Sequence, residues 1–395
     1  MRITGFETLV VGNPPPHHGG RYFVFVKLET DAGISGVGEI YAGSFGARAL
    51  PAMVEEVCER HVVGRDPTAI ELLWREIYAR GYSMRPDLAL VAILSGIEIA
   101  CWDILGKAVE RPIYELLGGK VRERLRTYTY LYREQGDEAD VYVDPEVAAR
   151  RAAEYVELGF TAVKFDPATP YAALDPRQPS LEALERCETY VAAVREAVGS
   201  RCDLLFGTHG QFTASGAIRL AKRLERFDPL WFEEPTPPEL PEEMARVASS
   251  TSIPVATGER LATKYEFARV LRLGAASILQ PNLGRVGGIL EAKKIAGMAE
   301  AHYAQIAPHL YNGPITAAAN VQLGACSPNF LILEGIQTWG GFHAELLVEP
   351  IRWEDGHVIP PSGPGLGVEL NEAVALAHPY EGEELHLEPL SGDAP

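Results

Sequence analysis

Charged and polar residues follow the short apolar segments in the second half of the chain. They are Lys164, Asp166, His209, Glu233, Glu259, Asn282, His309 and Glu334. Two carboxylates, Glu233 and Glu259, are the oxygen ligands that suit Mg²⁺ together with substrate and water. Lys164, His209 and His309 are candidates for proton transfer. A hard cation beside such groups favours a reaction in which a proton α to a carboxylate is removed and the metal stabilises the enediolate.

The elements that must position these residues repeat at a regular interval. Eight apolar segments each precede a turn and a helical pattern, and the positions from Gly207 to Glu334 recur every 23 to 27 residues. The segments are LRTYTYLY, TAVKFD, DLLFGTHG, LWFEEP, IPVATGER, ASILQPN, QIAPH and FLILEG. Strands separated by helical crossovers must run parallel, and eight such units close into a (β/α)₈ barrel. The polar residues would then meet at one mouth, at the C-terminal ends of the strands.

The first third of the chain predicts a separate α+β unit. RYFVFVKLET and ISGVGEIY alternate as antiparallel strands around the turn DAG, and helical patterns follow. The predicted helices are 51–63, 68–80 and 88–106. We therefore expect an α/β protein with a capping domain, a barrel, and a tail that includes the hairpin-like RWEDGHVIPPSGPGLGVEL and returns to the capping domain. The predicted segments are 1–124, 125–345 and 346–395, respectively.

Composition excludes several classes of protein. The chain has 395 residues, 36 Lys and Arg against 54 Asp and Glu, and a formal net charge of −18. A nucleic-acid or anionic-membrane binder needs a basic surface, so both classes are disfavoured. No apolar run approaches the roughly 20 residues that span a bilayer. The five cysteines show no CxxC pair, which predicts reduced thiols in a cytoplasmic protein.

Several motifs together resemble the enolase superfamily, in its mandelate racemase/muconate lactonizing enzyme-like branch. They are LSGIEIACWDILGKAVERPIYELLGG, FEEP, GER and GPGLGVEL, and they span nearly the whole chain. The barrel is most similar to sugar-acid dehydratases of the galactonate dehydratase type, on the basis of His209, the QP pair at Gln280, APH at His309 and LE at Glu334. The resemblance implies a barrel with an N-terminal cap, Mg²⁺ as cofactor, a small carboxylate substrate and a homo-oligomer.

The resemblance also implies a role for each matching residue. Glu233 and Glu259 match metal ligands, and Lys164 matches the lysine that faces the substrate carboxylate and the metal. His209 matches a base or leaving-group catalyst, and His309 matches the seventh-strand histidine. Glu334 matches the carboxylate that hydrogen-bonds substrate. Two loops of the cap normally contact substrate, and their candidates here are His18, Arg21 and Tyr41.

The third-strand metal ligand departs from the family pattern. The family has Asp where this chain has Gly207, so one oxygen ligand is missing. Either His209 moves onto the metal, or water fills the gap, or the metal binds weakly. A nitrogen ligand would shift the preference from Mg²⁺ towards softer divalent ions.

Two more departures change the charge at the mouth. The second lysine of the second-strand pattern is Asp166, which could act as a base, bind a hydroxyl or pair with Lys164. The partner of His309 is Asn282 instead of Asp. Its amide oxygen can accept the Nδ1–H of His309, but it cannot stabilise imidazolium as a carboxylate does. We therefore expect a lowered pKa for His309.

Three functions remain open at this point. The leading hypothesis is a metal-dependent lyase that dehydrates a sugar acid to a 2-keto-3-deoxy acid. In it, His309 or the Lys164 region removes the α proton and His209 protonates the departing hydroxyl. The second is a racemase, epimerase or cycloisomerase acting on a carboxylate. The third is a non-catalytic barrel that binds a sugar acid.

Overall fold

The computed structural model describes residues 1–41, 43, 45–79, 82, 85–134, 136–168 and 176–387. The chain begins with an antiparallel sheet in the order β1-β2-β3, followed by four helices. The strands are β1 (Ile3–Gly12), β2 (Tyr22–Thr30) and β3 (Ser35–Ile40). The helices are α1 (Ala49–His61), α2 (Ile70–Tyr78), α3 (Leu88–Ala108) and α4 (Ile113–Leu116). The two predicted strands and three predicted helices are present, and β1 is an additional edge strand.

Helix α3 is the central element of this first unit. Asp87 caps its N-terminus by accepting from the amides of Ala89 and Leu90, each at 3.0 Å. The helix lies so close to β3 that a Cβ at Gly38 would fall 1.8 Å from the carbonyl oxygen of Gly96. Contrary to the expectation from sequence, α3 is long and apolar enough to cross a membrane, but 83% of that stretch is buried inside the protein. It therefore has the burial of a core helix.

Eight parallel strands form the barrel that the repeat predicts. They are β4 (Leu125–Tyr130), β5 (Ala162–Phe165), β6 (Asp203–Phe206), β7 (Trp231–Glu233), β8 (Val255–Thr257), β9 (Ile278–Leu279), β10 (Gln305–Ile306) and β11 (Leu333–Gly335). Neighbours pair in sequence from β4 to β10, and β11 pairs with β4. A parallel bridge between Ile306 and Phe330 closes the ring. The fold class predicted from the sequence is thereby confirmed.

Helices surround the barrel, and side chains fill its interior. The helices are α5 (Pro145–Glu157), α6 (Leu181–Val198), α7 (Ala214–Leu224), α8 (Pro241–Ala248), α9 (Thr263–Leu273), α10 (Gly288–Ala301) and α11 (Pro314–Ala325). Inside, Tyr128 packs edge-on against Trp231 with ring centroids 5.3 Å apart. Apolar residues contributed by every strand or the residues beside it complete this layer. The packed interior confines chemistry to the mouth.

The tail divides between the two units. It contains α12 (Phe342–Glu345), β12 (Trp353–Glu354), β13 (His357–Val358) and α13 (Glu372–Ala377). The hairpin β12–β13 pairs antiparallel with β4 of the barrel. The rest of the predicted stretch reaches the first unit, where Gly365 forms a bridge with Pro112 and the amide of Leu366 donates to Oδ1 of Asp103 at 3.0 Å. Farther along, Pro379 forms a bridge with Val11 of β1, which brings the chain back to the first sheet.

Two buried carboxylates of the first unit hold loops of the barrel. Glu98 accepts from the amides of Ile289 and Leu290 at the start of α10, at 2.7 and 2.9 Å. Glu39 accepts from the amides of Gly313 and Thr316 at the start of α11. Helix N-termini attract negative charge, which makes these contacts favourable. The loops that they hold follow β9 and β10 and carry two of the predicted site residues.

Candidate active site

All eight polar residues predicted for the mouth lie at or just beyond the C-terminal ends of the barrel strands. Lys164, Glu233 and Glu334 lie within β5, β7 and β11, and the other five follow their strands in short loops. Most of these side chains are buried; His209, at 35% exposed, and Asp166, at 16%, are the most open to solvent. The predicted convergence of these side chains is thus present, and the structure adds which groups contact each other.

The Lys164 ammonium lies at the base of the site between two carboxylates. Its Nζ is 2.6 Å from Oε1 of Glu233 and 3.4 Å from Oε1 of Glu334. Burial opposes its charge, but Glu233 and Glu334 outweigh burial and hold the pKa of Lys164 well above its usual value. Burial also raises the pKa of Glu334 to about 7, while Lys164 lowers it. Lys164 is therefore a fixed cation, whereas burial favours the protonated form of Glu334.

The residues present do not fit the divalent metal of the family. Oε1 of Glu233 bonds to Lys164, and Oε2 accepts from Trp231 Nε1 at 3.1 Å and from Gln280 Nε2 at 2.8 Å. Within the described part of the chain, no group of three or more His, Cys, Asp or Glu is arranged to hold a metal ion. The amide Oε1 of Gln280 is a buried acceptor without a partner. The amide oxygen of Gln280 and the lysine-paired carboxylate of Glu233 supply fewer ligands than the octahedral oxygen shell that Mg²⁺ requires.

The predicted metal ligands Glu233, Glu259 and His209 are not grouped around one point in this arrangement. His209 does not replace the missing third-strand ligand, because its Nδ1 faces Asp166 and its Nε2 lies 4.0 Å from Glu259 Oε1. Glu259 instead lies between two histidines. Burial opposes its charge, but His309, His209 and Lys164 outweigh burial and lower the pKa of Glu259 to about 2.

Asp166 and His209 form a carboxylate–histidine dyad. The Oδ2 atom of Asp166 is 3.4 Å from Nδ1 of His209 and also accepts from Gln211 Nε2 at 2.8 Å. Gln211 in turn accepts from the amide of His209 at 2.6 Å, which fixes the loop. Burial would lower the pKa of His209, but the Glu259 charge and the Asp166 hydrogen bond raise it to about 9. His209 is consequently an imidazolium at neutral pH.

His309 has the opposite environment. Burial, together with the charges of Lys164 and Arg285, outweighs Glu259 and lowers its pKa to about 3. The pKa of His309 is thus below its ordinary value, and burial is the first cause. His309 is neutral, and its Nε2 lies 3.3 Å from Oε2 of Glu259.

The expected hydrogen bond between Asn282 and His309 is reversed. The amide of Gly284 donates to Oδ1 of Asn282 at 2.9 Å, and a backbone N–H can only donate, so this contact identifies the oxygen. Nδ2 of Asn282 therefore faces Nδ1 of His309, at 2.9 Å. Neutral His309 accepts there, so its hydrogen is on Nε2. His309 thus presents an N–H to the site, where the sequence predicted a base.

The candidate substrate contacts of the cap differ in position. The Cζ atom of Arg285 lies over the ring of Tyr41, 4.1 Å from the centroid of that ring. The ring centroids of Tyr41 and His309 are 6.0 Å apart. His18 stacks on Tyr132, just after β4, with centroids 4.2 Å apart. Arg21 instead faces Glu384 of the tail, at 3.8 Å. The structure places Tyr41 and His18 against barrel residues and leaves Arg21 at the rim.

Arg285 is a site residue that the sequence did not single out. Its Nη1 donates to the carbonyl of Glu259 at 3.1 Å, and its Nε donates to the carbonyl of Tyr41 at 3.3 Å. It follows Asn282 by three residues, in the glycine-rich GRVGG loop. The sequence feature that could have identified Arg285 is a cationic residue in the loop that follows a barrel strand. By contrast, Arg260, next to Glu259, is held by Glu234 at 2.7 Å and supports the loop of His209.

Comparison with known proteins identifies the family of this chain. Residues 147–374 match the enolase C-terminal domain-like family model, and residues 17–118 match the mandelate racemase/muconate lactonizing enzyme N-terminal domain. The chain belongs to the mandelate racemase/muconate lactonizing enzyme family. It is therefore an enzyme, and the resemblance predicted from its motifs is confirmed. Members of the wider enolase superfamily generally use Mg²⁺.

Individual relatives cover almost the entire chain. D-galactonate dehydratase from Xanthomonas euvesicatoria is 39% identical over 381 residues, which are 94% of this chain and 93% of that protein. A provisionally assigned mandelate racemase/muconate lactonizing enzyme from Labrenzia alexandrii is 64% identical, with a TM-score of 0.96 over 98% of this chain and 99% of that one. A mandelate racemase/muconate lactonizing enzyme structure from Sulfitobacter sp. is 51% identical, with a TM-score of 0.96 over 100% and 99%.

Proposed function

We propose that this enzyme dehydrates a sugar acid, an aldonate or aldarate, to a 2-keto-3-deoxy acid. The observation that carries the proposal is the contrast between the two histidines beside Glu259. His209 holds a proton that a departing hydroxyl can take, and His309 is a neutral hydrogen-bond donor. The similarity to D-galactonate dehydratase supports a sugar acid as the substrate.

Substrate binding follows from the fixed charges. The substrate carboxylate would lie against the Lys164 ammonium, and the protonated form of Glu334 would donate a hydrogen bond to it. His309 Nε2–H would donate to the oxygens on which negative charge develops when the α proton leaves. Donors fixed before the reaction stabilise such charge without reorganising.

Proton transfer is assigned to His209, with Asp166 as its orienting partner. Neutral His209 removes the proton on carbon 2, and the electron pair of that C–H bond forms the enediolate. The imidazolium then protonates the hydroxyl on carbon 3, the C–O bond breaks, and water leaves. The resulting enol takes a proton from solvent on carbon 3, and its carbon-2 hydroxyl releases one to solvent, which gives the 2-keto-3-deoxy acid. Because the pKa of His209 is about 9, the neutral form that starts the reaction increases as the pH rises, and the proton that it accepts then serves the second transfer.

A direct test uses a panel of aldonates and aldarates, each incubated with the enzyme in the presence and absence of Mg²⁺. Formation of keto acid is followed by reaction with semicarbazide. We expect product from at least one member, and none from it with His209→Gln. His302→Gln is the matched control, because His302 is exposed at the end of α10. If no member gives keto acid under any condition, the proposal is wrong.

The structure favours dehydration over the isomerase alternative. A racemase that moves a proton between two faces of a carbon needs two opposed bases, and Asn282 occupies the only lone pair of neutral His309. Incubation in D₂O separates the two functions. Exchange of the α proton without keto acid would favour an isomerase.

The cellular context is proposed from the thiols. All five cysteines are free and buried, which supports the predicted reduced state and a cytoplasmic location. The predicted homo-oligomer remains a prediction.

A further inference from the structure

At Gly207 this chain has no side chain, whereas the family has an aspartate at this position. The φ of Gly207 is not in the left-handed region, so the backbone would accept other residues there. A Cβ at this position, however, would lie 2.8 Å from Cε and 3.3 Å from Cγ of Lys164, and 3.1 Å from the hydroxyl of Tyr130. The Lys164 side chain thus runs through the volume in which the family has its third-strand carboxylate.

Lys164 is held there by a complete set of contacts. Its ammonium bonds to Glu233 and Glu334 and lies 5.3 Å from the ring centroid of Tyr130, a cation–π distance. The side chain is 1% exposed. Removing a partner from such a buried charge is costly, so a second cation that took these carboxylate oxygens would leave the ammonium poorly compensated.

Both carboxylate oxygens of Glu233 already accept hydrogen bonds. One oxygen bonds to the ammonium, and the other accepts from Trp231 and Gln280. A divalent ion would have to break the 2.6 Å contact with Lys164 and find further ligands in a site that has lost one. The loss of a carboxylate at Gly207 and the position of Lys164 are therefore one coordinated change.

We infer that the Lys164 ammonium replaces the divalent metal in this enzyme. It is a permanent cation, supplied by the chain, that meets the substrate carboxylate and the enediolate. The catalytic half of this inference rests on the proposed function, whereas the metal-binding half does not. A resident ammonium would distinguish this enzyme from the members of the family that use Mg²⁺.

The test begins with metal binding, without any substrate. Mn²⁺ is titrated into wild type, Gly207→Asp and Gly207→Ala and followed by electron paramagnetic resonance. Gly207→Ala is the matched control, because its Cβ also displaces Lys164 but adds no ligand. We expect no binding by wild type below about 1 mM, and binding by Gly207→Asp at least about tenfold tighter than by Gly207→Ala. Stoichiometric binding of Mn²⁺ by wild type at micromolar concentration would overturn the inference.

The second part of the test compares the rates of keto-acid formation with and without metal. Enzyme treated with EDTA and shown by elemental analysis to lack metal should form keto acid at a rate within about twofold of untreated enzyme, and Mg²⁺ should not stimulate it. Stimulation by Mg²⁺ of more than about tenfold would contradict a resident ammonium. If no sugar acid reacts under any condition, the proposed function fails, but the Mn²⁺ titration still decides the inference.

Discussion

The two sides of the barrel mouth both carry a histidine next to Glu259, and they differ in the partner of that histidine. On the β5–β6 side, a carboxylate, Asp166, faces Nδ1 of His209. On the β9–β10 side, an amide, Asn282, faces Nδ1 of His309. The family resemblance implied the opposite arrangement, with the carboxylate partner on the seventh-strand histidine. The carboxylate–histidine dyad therefore lies on the opposite side of the mouth from the one that the resemblance implied, and the proposed mechanism assigns proton transfer to the side that carries it.

Replacing each histidine in turn should have the largest effect and tests whether the two sides of the mouth have different roles. We expect His209→Gln to lower kcat by about 10³-fold, because it removes the general acid–base group. His309→Gln keeps a side-chain amide that can still donate, so we expect a loss of only about tenfold. Steady-state formation of keto acid measures both, with His302→Gln as the unaffected control. Equal losses for the two histidines would contradict the assignment.

The Asp166 carboxylate offers the next test. Asp166→Asn keeps the shape of the side chain but removes its charge, so the pKa of His209 should fall from about 9. In wild type, kcat/KM should rise with pH towards about 9, as His209 becomes able to accept the α proton. The variant should show the same rise at lower pH and a plateau about tenfold lower. An unchanged pH profile would show that Asp166 does not act through His209.

Asn282→Asp should sharpen the comparison by restoring a carboxylate to the other side. The new oxygen still accepts from Gly284, and the second oxygen faces Nδ1 of His309 with a negative charge. The pKa of His309 should rise above its lowered value of about 3, and its hydrogen should move to Nδ1. Titration of the imidazole by NMR measures this change. No change in pKa would mean that burial alone sets the protonation of His309.

Stability should depend on pH in opposite directions on the two sides. Folding raises the pKa of His209 from 6.5 to about 9, so its contribution is complete below 6.5 and is lost as pH rises through about 9. Folding lowers the pKa of His309 from 6.5 to about 3, so its contribution is complete above 6.5 and is lost as pH falls towards 3.

Thermal denaturation of wild type and the two His→Gln variants measures this dependence. The Tm advantage of wild type over His209→Gln should shrink from about pH 6.5 to about pH 9.5. Its advantage over His309→Gln should shrink from about pH 6.5 to about pH 4. Parallel curves for the two variants would contradict the opposite shifts.

The smallest effect is expected at Arg21. It is 36% exposed and 3.8 Å from the exposed Glu384, and surface ion pairs contribute about 0–1 kcal/mol. Arg21→Ala should therefore change Tm by only a few degrees and leave KM within about twofold. Tyr41→Phe is the comparison variant in the cap, because Tyr41 lies beside His309. A large rise in KM for Arg21→Ala would place Arg21 in the substrate site.

The sequence predicted the barrel and its polar mouth because strand-end residues recur at nearly constant spacing. It placed Gly207, Asp166 and Asn282 as departures, but it could not show how they act together. The orientation of the Asn282 amide depends on a backbone N–H from Gly284, and the path of Lys164 depends on the space at Gly207. Such contacts between different strands leave no periodic signal. The pairing of the tail hairpin with β4 was not predicted for the same reason, since it joins residues more than 200 positions apart.

The most direct test of the account is the protonation state of the two histidines in the resting enzyme. Imidazole nitrogens labelled with ¹⁵N are recorded at neutral pH, and the signals are assigned with His209→Gln and His309→Gln. We expect His209 to be protonated on both nitrogens and His309 to be neutral with its hydrogen on Nε2. A neutral His209 together with a His309 that carries hydrogen on Nδ1 would contradict the account.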